Sequence, residues 1–400
     1  MNLSGVKVLH SYAFSNFQSF RQRAEIDLTL SRKITLTEWM TEAATGERVS
    51  KLMAIVGPNG SGKTALIKPL AFMAWFISQS FQLPPEAPIP VTPHATAPLE
   101  PTEFEATIDF DGKLWRYVLR CTSERVLHEA LYQKRERFGY VFIRDWDPSA
   151  KSYVVKQQDL GLPPPEARKV RPNVSLIAWA AQFGVALALR MVAPYVVTNV
   201  NVLGRLPMGE QIMLVAAHHF AEHPEQRQRM DHLLATWDLG LTGVELHQVP
   251  SANQQAPSQK VWMAFGKHRS HDTEFQLPFA LESSGTQGAF VLLSRLLQTL
   301  ETGGLAVIDE FENDLHPHML EPILDLFANP ATNPHQAQLL FTCHAIEVMN
   351  LIHKSQVMLV QKDADCESTT TRMDAVEGIR SDDNFYAKYM AGAYGAVPAL

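Results

Sequence analysis

Cysteine is scarce in this chain of 400 residues: there are three, Cys121, Cys343 and Cys366, far apart and without a C-x-x-C pair. That spacing argues against a disulfide framework and a zinc site, so a reducing cytoplasm is the expected setting. A signal-peptide core is also missing, because Met1 to Phe14 mixes Asn, Lys, His and Ser into its apolar positions. No long hydrophobic run is unbroken. The most apolar stretch, Val174 to Val197, is interrupted by Gln182, Arg190 and Pro194, and reads as buried helix rather than a membrane span. No membrane partner is expected. No heptad is sustained, which argues against a long coiled-coil arm. A basic excess is lacking too: the net charge is −7 and the sequence pI near 6.1, which speaks against coating nucleic acid by bulk electrostatics. Two local clusters, Lys134, Arg135 and Arg137, and Arg168, Lys169 and Arg171, are interleaved with Glu136 and Glu166 and read as solvated surface.

What is present suits a folded chain. With 46% hydrophobic and 19% charged residues, it can bury a sizeable core, and its length suggests two to three structural lobes. Val6 to Phe20 and Glu25 to Leu30 look like an N-terminal strand pair. Leu52 to Val56 is a continuous apolar run of the kind a strand buried on both faces shows. Ala65 to Phe81 has helical spacing, with Pro69 comfortable only in a first turn. From Gln82 to Pro101 the chain is rich in Pro and Ala, which predicts a surface loop or linker. Phe104 to Arg120 and Tyr140 to Trp146 alternate as strands, with a hairpin turn at Asp111-Gly112. Beyond Pro163 to Pro165, Ser175 to His223 and Glu225 to Leu239 read as helices, a lobe interrupting the core.

Gly57-Pro58-Asn59-Gly60-Ser61-Gly62-Lys63-Thr64 matches G-x-x-x-x-G-K-[ST] in full, between the buried-strand run and the helix. Glycines let successive backbone N–H groups turn inward on a β-phosphate, and the following helix adds its positive end. Lys63 is then a point charge for the β- and γ-phosphates of ATP, and the Thr64 hydroxyl a ligand for Mg2+. A second apolar strand, Leu305 to Ile308, ends in Asp309-Glu310. Such a strand delivers Asp309 to the magnesium ion and Glu310 to the water that attacks the γ-phosphate. Glu312 and Asp314 are nearby acids less well placed than this pair. Between the two motifs, Ser283-Ser284-Gly285 opens the apolar helix Ala289 to Leu300. Its hydroxyls, close-approach glycine and free backbone donors fit a phosphate site and an ordinary helix cap equally well.

After Asp309-Glu310 come Asn313-Asp314-Leu315-His316-Pro317 and a strand, Gln338 to Thr342, that ends at Cys343-His344. In this order of motifs the chain resembles the ABC-type ATPases, and among them the OLD-like and RecF/SMC-related, RloA-like soluble ATPases of prokaryotes. The resemblance makes Glu282 to Gln287 a variant signature motif, Asn313 to His316 the D-loop, and His344 the switch histidine that contacts the γ-phosphate. Asn16-Phe17-Gln18-Ser19-Phe20 is similar to that group's N-F-x-S-F strand, and Tyr394-Gly395-Ala396-Val397-Pro398 to its terminus. The middle, about Pro148 to Pro250, matches nothing in it. The signature reads Ser-Ser-Gly-Thr-Gln where transporters have Leu-Ser-Gly-Gly-Gln, which disfavours a transporter subunit. Gln133 is a candidate for the Q-loop, with Gln157, Gln158 and Gln182 as alternatives. About 56 residues follow His344, too few for the Toprim nuclease domain of OLD proteins, and Asp363 and Asp365 are read as an exposed turn. His218, His219, His223, His316 and His318 lack a Cys or carboxylate at ligand spacing and are read as helix-start or surface residues. Trp179, Trp237 and Trp262 are read as core.

The expected fold class is therefore α/β: an ABC-type P-loop NTPase core, with a mixed central sheet, flanking helices and an N-terminal antiparallel β subdomain, interrupted by an inserted helical lobe. The expected division is 1–147 for the first part of the core, 148–250 for the lobe and 251–400 for the second part. The resemblance implies ATP and Mg2+ as cofactors, and a site completed by a second copy whose Ser283, Ser284 and Gly285 face the γ-phosphate. The expected assembly is a homodimer or a larger even-numbered oligomer. Three tasks compete. The resemblance favours a prokaryotic anti-phage defence ATPase controlling a separately encoded effector, such as a nuclease. The alternatives are a RecF-like DNA-repair or chromosome-maintenance ATPase that binds DNA, and a P-loop kinase acting on a small molecule. The acidic pI and missing arms weigh against the second, and the motif order against the third.

Overall fold

The computed structural model describes residues 7–237, 240–250, 260–312, 315–380 and 383–394. The chain opens on β1 (Lys7–Ser15) and β2 (Ala24–Asp27), then a short hairpin of β3 (Met40–Glu42) and β4 (Arg48–Ser50). β5 (Leu52–Val56) runs into α1 (Lys63–Gln79). A meander follows, of β6 (Thr102–Phe110), β7 (Lys113–Cys121), β8 (Val126–Lys134), β9 (Phe138–Asp147) and β10 (Ser152–Gln157). Next come α2 (Pro164–Ala167), α3 (Leu176–Gln182), α4 (Ala186–Val192), β11 (Val196–Thr198), α5 (Glu210–Glu222) and α6 (Pro224–Thr236). A three-stranded sheet of β12 (Gly243–Pro250), β13 (Lys260–Ser270) and β14 (Thr273–Pro278) leads to α7 (Ser284–Thr302). The last elements are β15 (Leu305–Ile308), α8 (Leu320–Ala328), β16 (Gln338–Cys343), β17 (Val357–Lys362), β18 (Ser368–Arg372) and α9 (Phe385–Met390).

Two large sheets result. The antiparallel one has seven strands in the order β10-β9-β8-β7-β6-β1-β2. Its β6–β7 turn places Asp111 at φ 54° and Gly112 at φ 65°, the left-handed pair a type I′ hairpin needs. The other has six strands, β11-β15-β16-β5-β17-β18, parallel except at β18. All five residues of β5 are buried, as expected of a central strand covered on both faces. Their alternation divides the interior. Met53 and Ile55 join the cluster around α1 and the seven-stranded sheet, whereas Leu52, Ala54 and Val56 join the one around α7 and α8. Each side chain of leucine or isoleucine size buried this way contributes roughly 1.5–3 kcal/mol, so packing on both faces, more than strand propensity, holds β5 in place.

One buried side chain stitches the sheets together. Gln338, at the start of β16, accepts a hydrogen bond from Leu9 N–H through Oε1 (2.6 Å). Its Nε2 donates to the carbonyls of Leu9 and Ser50, both at 2.9 Å. The β1–β2 pairing begins only at Ser11, which leaves one edge of Leu9 free for this glutamine.

Several details depart from the sequence reading. The segment expected as an inserted helical lobe is built into the core: β11 pairs with β15, α3 and α4 pack around α1, and α5 and α6 cover α7. A strand of three residues has no periodicity of its own, so helical patterns on either side conceal it. The Gln82–Pro101 stretch is no free linker, because Ile89 and Val91 are buried and Asn16 Nδ2 donates to the carbonyls of Ala97, Glu100 and Pro101. Arg171, expected in solvent, donates to the carbonyls of Phe81 and Leu83. Pro69 lies in the second turn of α1, where it removes the bond that would reach the Ala65 carbonyl. Asp363 and Asp365 do form an exposed turn between β17 and β18. Trp179, Trp237 and Trp262 sit half-buried at the edges of the two clusters. Among the described residues no helix is long and apolar enough to cross a membrane. The expected terminus Gly395 to Pro398, and Asn313 and Asp314 of the expected D-loop, lie outside the described residues.

Candidate nucleotide site

The six residues from Gly57 to Gly62 bridge the end of β5 and the start of α1. Two of them must be glycine. A Cβ on Gly57 would collide with the Val360 carbonyl of β17, and one on Gly62 would lie 2.5 Å from Ser368 Oγ and 2.8 Å from Ser19 Oγ. Gly62 also has φ 109°, a conformation L side chains rarely adopt. The outer wall of the loop comes from both ends of the chain: Ser368 Oγ donates to the Ser61 carbonyl (2.7 Å) and lies 2.8 Å from Ser19 Oγ. Ser61 Oγ is buried without a partner among the described residues, a hydroxyl free to meet a ligand.

Lys63 crosses the loop. Its Nζ donates to the carbonyls of Gly57 (2.8 Å) and Pro58 (3.1 Å) and lies 3.5 Å from His344 Nδ1. Burial lowers the pKa of this ammonium, and the carboxylates of Asp309, Glu312 and Glu310 work in the opposite direction. Thr64 Oγ1 donates to Asp309 Oδ2 at 2.8 Å, and Thr342 Oγ1, on the strand between β5 and β15, donates to Asp309 Oδ1 at 2.7 Å. Asn199, just past β11, grips the Asp309 backbone both ways: its Nδ2 donates to the Asp309 carbonyl (2.9 Å) and its Oδ1 accepts from the Asp309 N–H (2.7 Å).

Glu310 has φ 49°, left-handed for a non-glycine residue, and its N–H donates to Thr342 Oγ1 at 2.8 Å. Its carboxylate is ion-paired with Arg205. Glu312 Oε1 accepts the His344 backbone N–H and so helps position that residue. Among the described residues no group of His, Cys, Asp and Glu is suited to hold a metal by itself. Thr64 and Asp309 are nonetheless a pair of hard oxygen donors within contact of each other, which fits Mg2+, an ion that takes few protein ligands and completes its shell with phosphates and water.

The Ser283-Ser284-Gly285 turn forms the first residues of α7 and its cap. Ser283 Oγ accepts the Thr286 N–H at 3.1 Å, while Ser283 and Ser284 remain exposed. Glu282 beneath them is nearly buried, 2.8 Å from His268 Nε2, and the other ring nitrogen of His268 lies 2.9 Å from the Gly240 carbonyl. Glu282 fills the space where a Cβ on Gly266 would be.

The structure thus brings Gly57 to Thr64, Asp309, Glu310 and His344 together, whereas the hydrogen bonds of the Ser283 turn, among the described residues, are local to α7. The Q-loop candidates are not at this site. Gln133 lies in β8 of the seven-stranded sheet, Gln157 Nε2 donates to Leu162, Gln158 follows β10, and Gln182 closes α3. Sequence reasoning missed Asn199, Arg205, Thr342 and Ser368. The only signal for Asn199 was its place after a short apolar strand.

A buried parallel strand, a glycine-cornered loop, a lysine at the helix start and an acid at the end of another strand of the same sheet, one strand removed, together define a P-loop NTPase of the ATPase type. Residues 52–350 match the family described as "AAA domain, putative AbiEii toxin, Type IV TA system", and the chain belongs to that family. Among solved structures, the chain is similar to an SMC head bound to the C-winged helix domain of ScpA, at 12% identity and TM-score 0.48, covering 91% of this chain and 96% of that one. It is also similar to the SMC head domain from Thermotoga maritima, at 14% identity, TM-score 0.42, and 91% and 98% coverage. A third is an SMC head with an extended coiled coil bound to the C-terminal domain of ScpA, derived from Pyrococcus furiosus, at 11% identity, TM-score 0.44, and 91% and 96% coverage. No curated relative matches the chain.

Proposed function

We propose that the chain is an ATP-hydrolysing switch of the ABC type whose nucleotide sites close only when two copies meet. We propose further that it is the regulatory subunit of a prokaryotic anti-phage system, controlling a separately encoded effector such as a nuclease. One observation carries the two-copy reading. α7, of 19 residues, is roughly 28 Å long, and only Gly303 and Gly304 join it to β15, which spans roughly 13 Å over four residues. α7 packs on β15, and for a helix folded back on its strand the Ser283 turn overshoots Asp309 by roughly 15 Å. Among the described residues, that turn makes no hydrogen bond to the P-loop or to Asp309. A P-loop presented by another copy would meet it. The family description names a toxin of a toxin–antitoxin system, which supports an effector-linked task over DNA repair.

In this reading the backbone of Gly57 to Gly62 and Lys63 bind the β- and γ-phosphates of ATP. Thr64 and Asp309 would hold Mg2+, which supplies charge neutralisation between the phosphoryl oxygens. Glu310 takes a proton from water as its oxygen adds to the γ-phosphorus and the bond to the bridging oxygen breaks, leaving ADP and phosphate. His344 contacts the γ-phosphate, and the partner's Ser283, the partner's Ser284 and the partner's Gly285 close the far side. Loss of the γ-phosphate removes the tie, and the dimer opens.

Glu310→Gln tests this: with ATP and magnesium it should sediment as a nucleotide-loaded dimer, and behaviour identical to wild type would sink the mechanism. Ser284→Arg should abolish turnover while leaving ATP affinity largely intact. The defence assignment is tested by phage plaque counts on cells carrying the gene and its neighbour, with unchanged counts removing it.

A further inference from the structure

Between β11 and α5 the chain makes a small hairpin. Val200 bridges Arg205, the Leu206 N–H donates to the Asn199 carbonyl and the Asn201 N–H to the Gly204 carbonyl, both at 2.8 Å. Asn201 Oδ1 caps the tip by accepting from the N–H groups of Leu203 (2.8 Å) and Gly204 (3.0 Å). The hairpin is fastened at three points. Asn199 holds the Asp309 backbone, Lys68 Nζ of α1 donates to the Leu203 carbonyl at 3.1 Å, and the Arg205 guanidinium pairs with Glu310.

A carboxylate engaged by a guanidinium cannot at the same time receive a proton from water through the engaged oxygen. While that pair persists, Glu310 is idle as a base. The backbone of Arg205 is fixed by its bridge to Val200, so the part able to move is the side chain. The side chain is 26% exposed and its guanidinium ends on Glu310. A γ-phosphate offers more charge than one carboxylate, and three oxygens in a geometry that suits the guanidinium fork.

We propose that Arg205 has two partners: the Glu310 carboxylate, which it masks, and the γ-phosphate of ATP, so that a bound γ-phosphate draws it away and unmasks Glu310. This rests on the ATP reading of the site and adds to it a residue that tells ATP from ADP. The transfer is a change of ion-pair partner, with no bond made or broken.

The test measures affinities of fluorescent ATP and ADP analogues in EDTA, where neither magnesium nor turnover contributes. Arg205→Ala should weaken ATP binding by about tenfold, a loss typical of a charge-assisted contact, and leave ADP within twofold, collapsing the preference between them. Arg205→Lys should recover part of that preference, which also guards against a folding defect in the alanine variant. Glu310→Gln, having released Arg205 from its carboxylate, should raise ATP affinity and leave ADP unchanged. An ATP-to-ADP preference in Arg205→Ala equal to that of wild type would overturn the proposal and make the pair a static one. Failure of wild type to bind either nucleotide would overturn the ATP reading with it. A closed dimer of Glu310→Gln beside an unaltered preference in Arg205→Ala would leave the two-copy mechanism standing and remove only this inference.

Discussion

Replacing Gln338 by leucine changes the size of the side chain little and deletes three hydrogen bonds at once. The glutamine lies where β16 meets β1 and β4, and its partners are the N–H and carbonyl of Leu9 and the carbonyl of Ser50. At about 1–1.5 kcal/mol for each bond, with the buried partners left unsatisfied, Gln338→Leu should cost about 3–5 kcal/mol. Cavity formation adds little, because leucine fills most of the same volume. The assay is urea unfolding followed by tryptophan fluorescence, since Trp75 and Trp179 pack on the first cluster and Trp39, Trp237 and Trp262 on the second. At a slope of about 3 kcal/mol/M, the midpoint should fall by roughly 1–1.7 M with the slope unchanged. A loss below about 1 kcal/mol would refute the idea that this side chain joins the two sheets.

Gly266→Ala should push Glu282 from its seat beside His268 and shift the Ser283 turn. Turnover should then fall at least tenfold, with ATP affinity within twofold of wild type; unchanged turnover would show that Glu282 anchors nothing. Lys7 gives a pH signature. Burial depresses its ammonium from 10.5 to about 8, so between those values the unfolded chain binds more protons than the folded one, and wild type gains stability as pH rises through that window. Lys7→Met lacks the gain, so the difference between the two proteins should move by about 3 kcal/mol in favour of wild type from pH 7.5 to 10.5. Parallel stability curves would disprove it.

Gly57 to Thr64 and Leu305 to Glu310 were readable in the sequence because each is a contiguous run, with its strand or helix attached. Asn199, Arg205, Thr342 and Ser368 were not. Each is an ordinary residue type: Asn199, Arg205 and Ser368 acquire their partners across more than a hundred residues, and Thr342 meets Asp309 only through the pairing of β15 with β16. The helical reading of Ser175 to Leu239 identified most of the helices and missed β11. β10, also within 148–250, went unread as well and pairs with β9 of the seven-stranded sheet, so two unread strands, β10 and β11, made a built-in segment look like an insertion. Residue type alone does not single out a Q-loop glutamine either, because a position beside Asp309 depends on strand order.

β5 pairs with β16 and β17, the nearer of which begins at Gln338, 282 residues after Val56. At a synthesis rate of about 5–20 residues per second, the ribosome delivers that neighbour roughly 15–55 s after β5 has emerged. Throughout this interval Leu-Met-Ala-Ile-Val is an apolar strand with neither edge covered, the kind of segment a holdase chaperone would shelter. The loop wall closes later still, with Ser368. A nascent chain interrupted before that point carries the whole glycine motif and has no site in which to hold it.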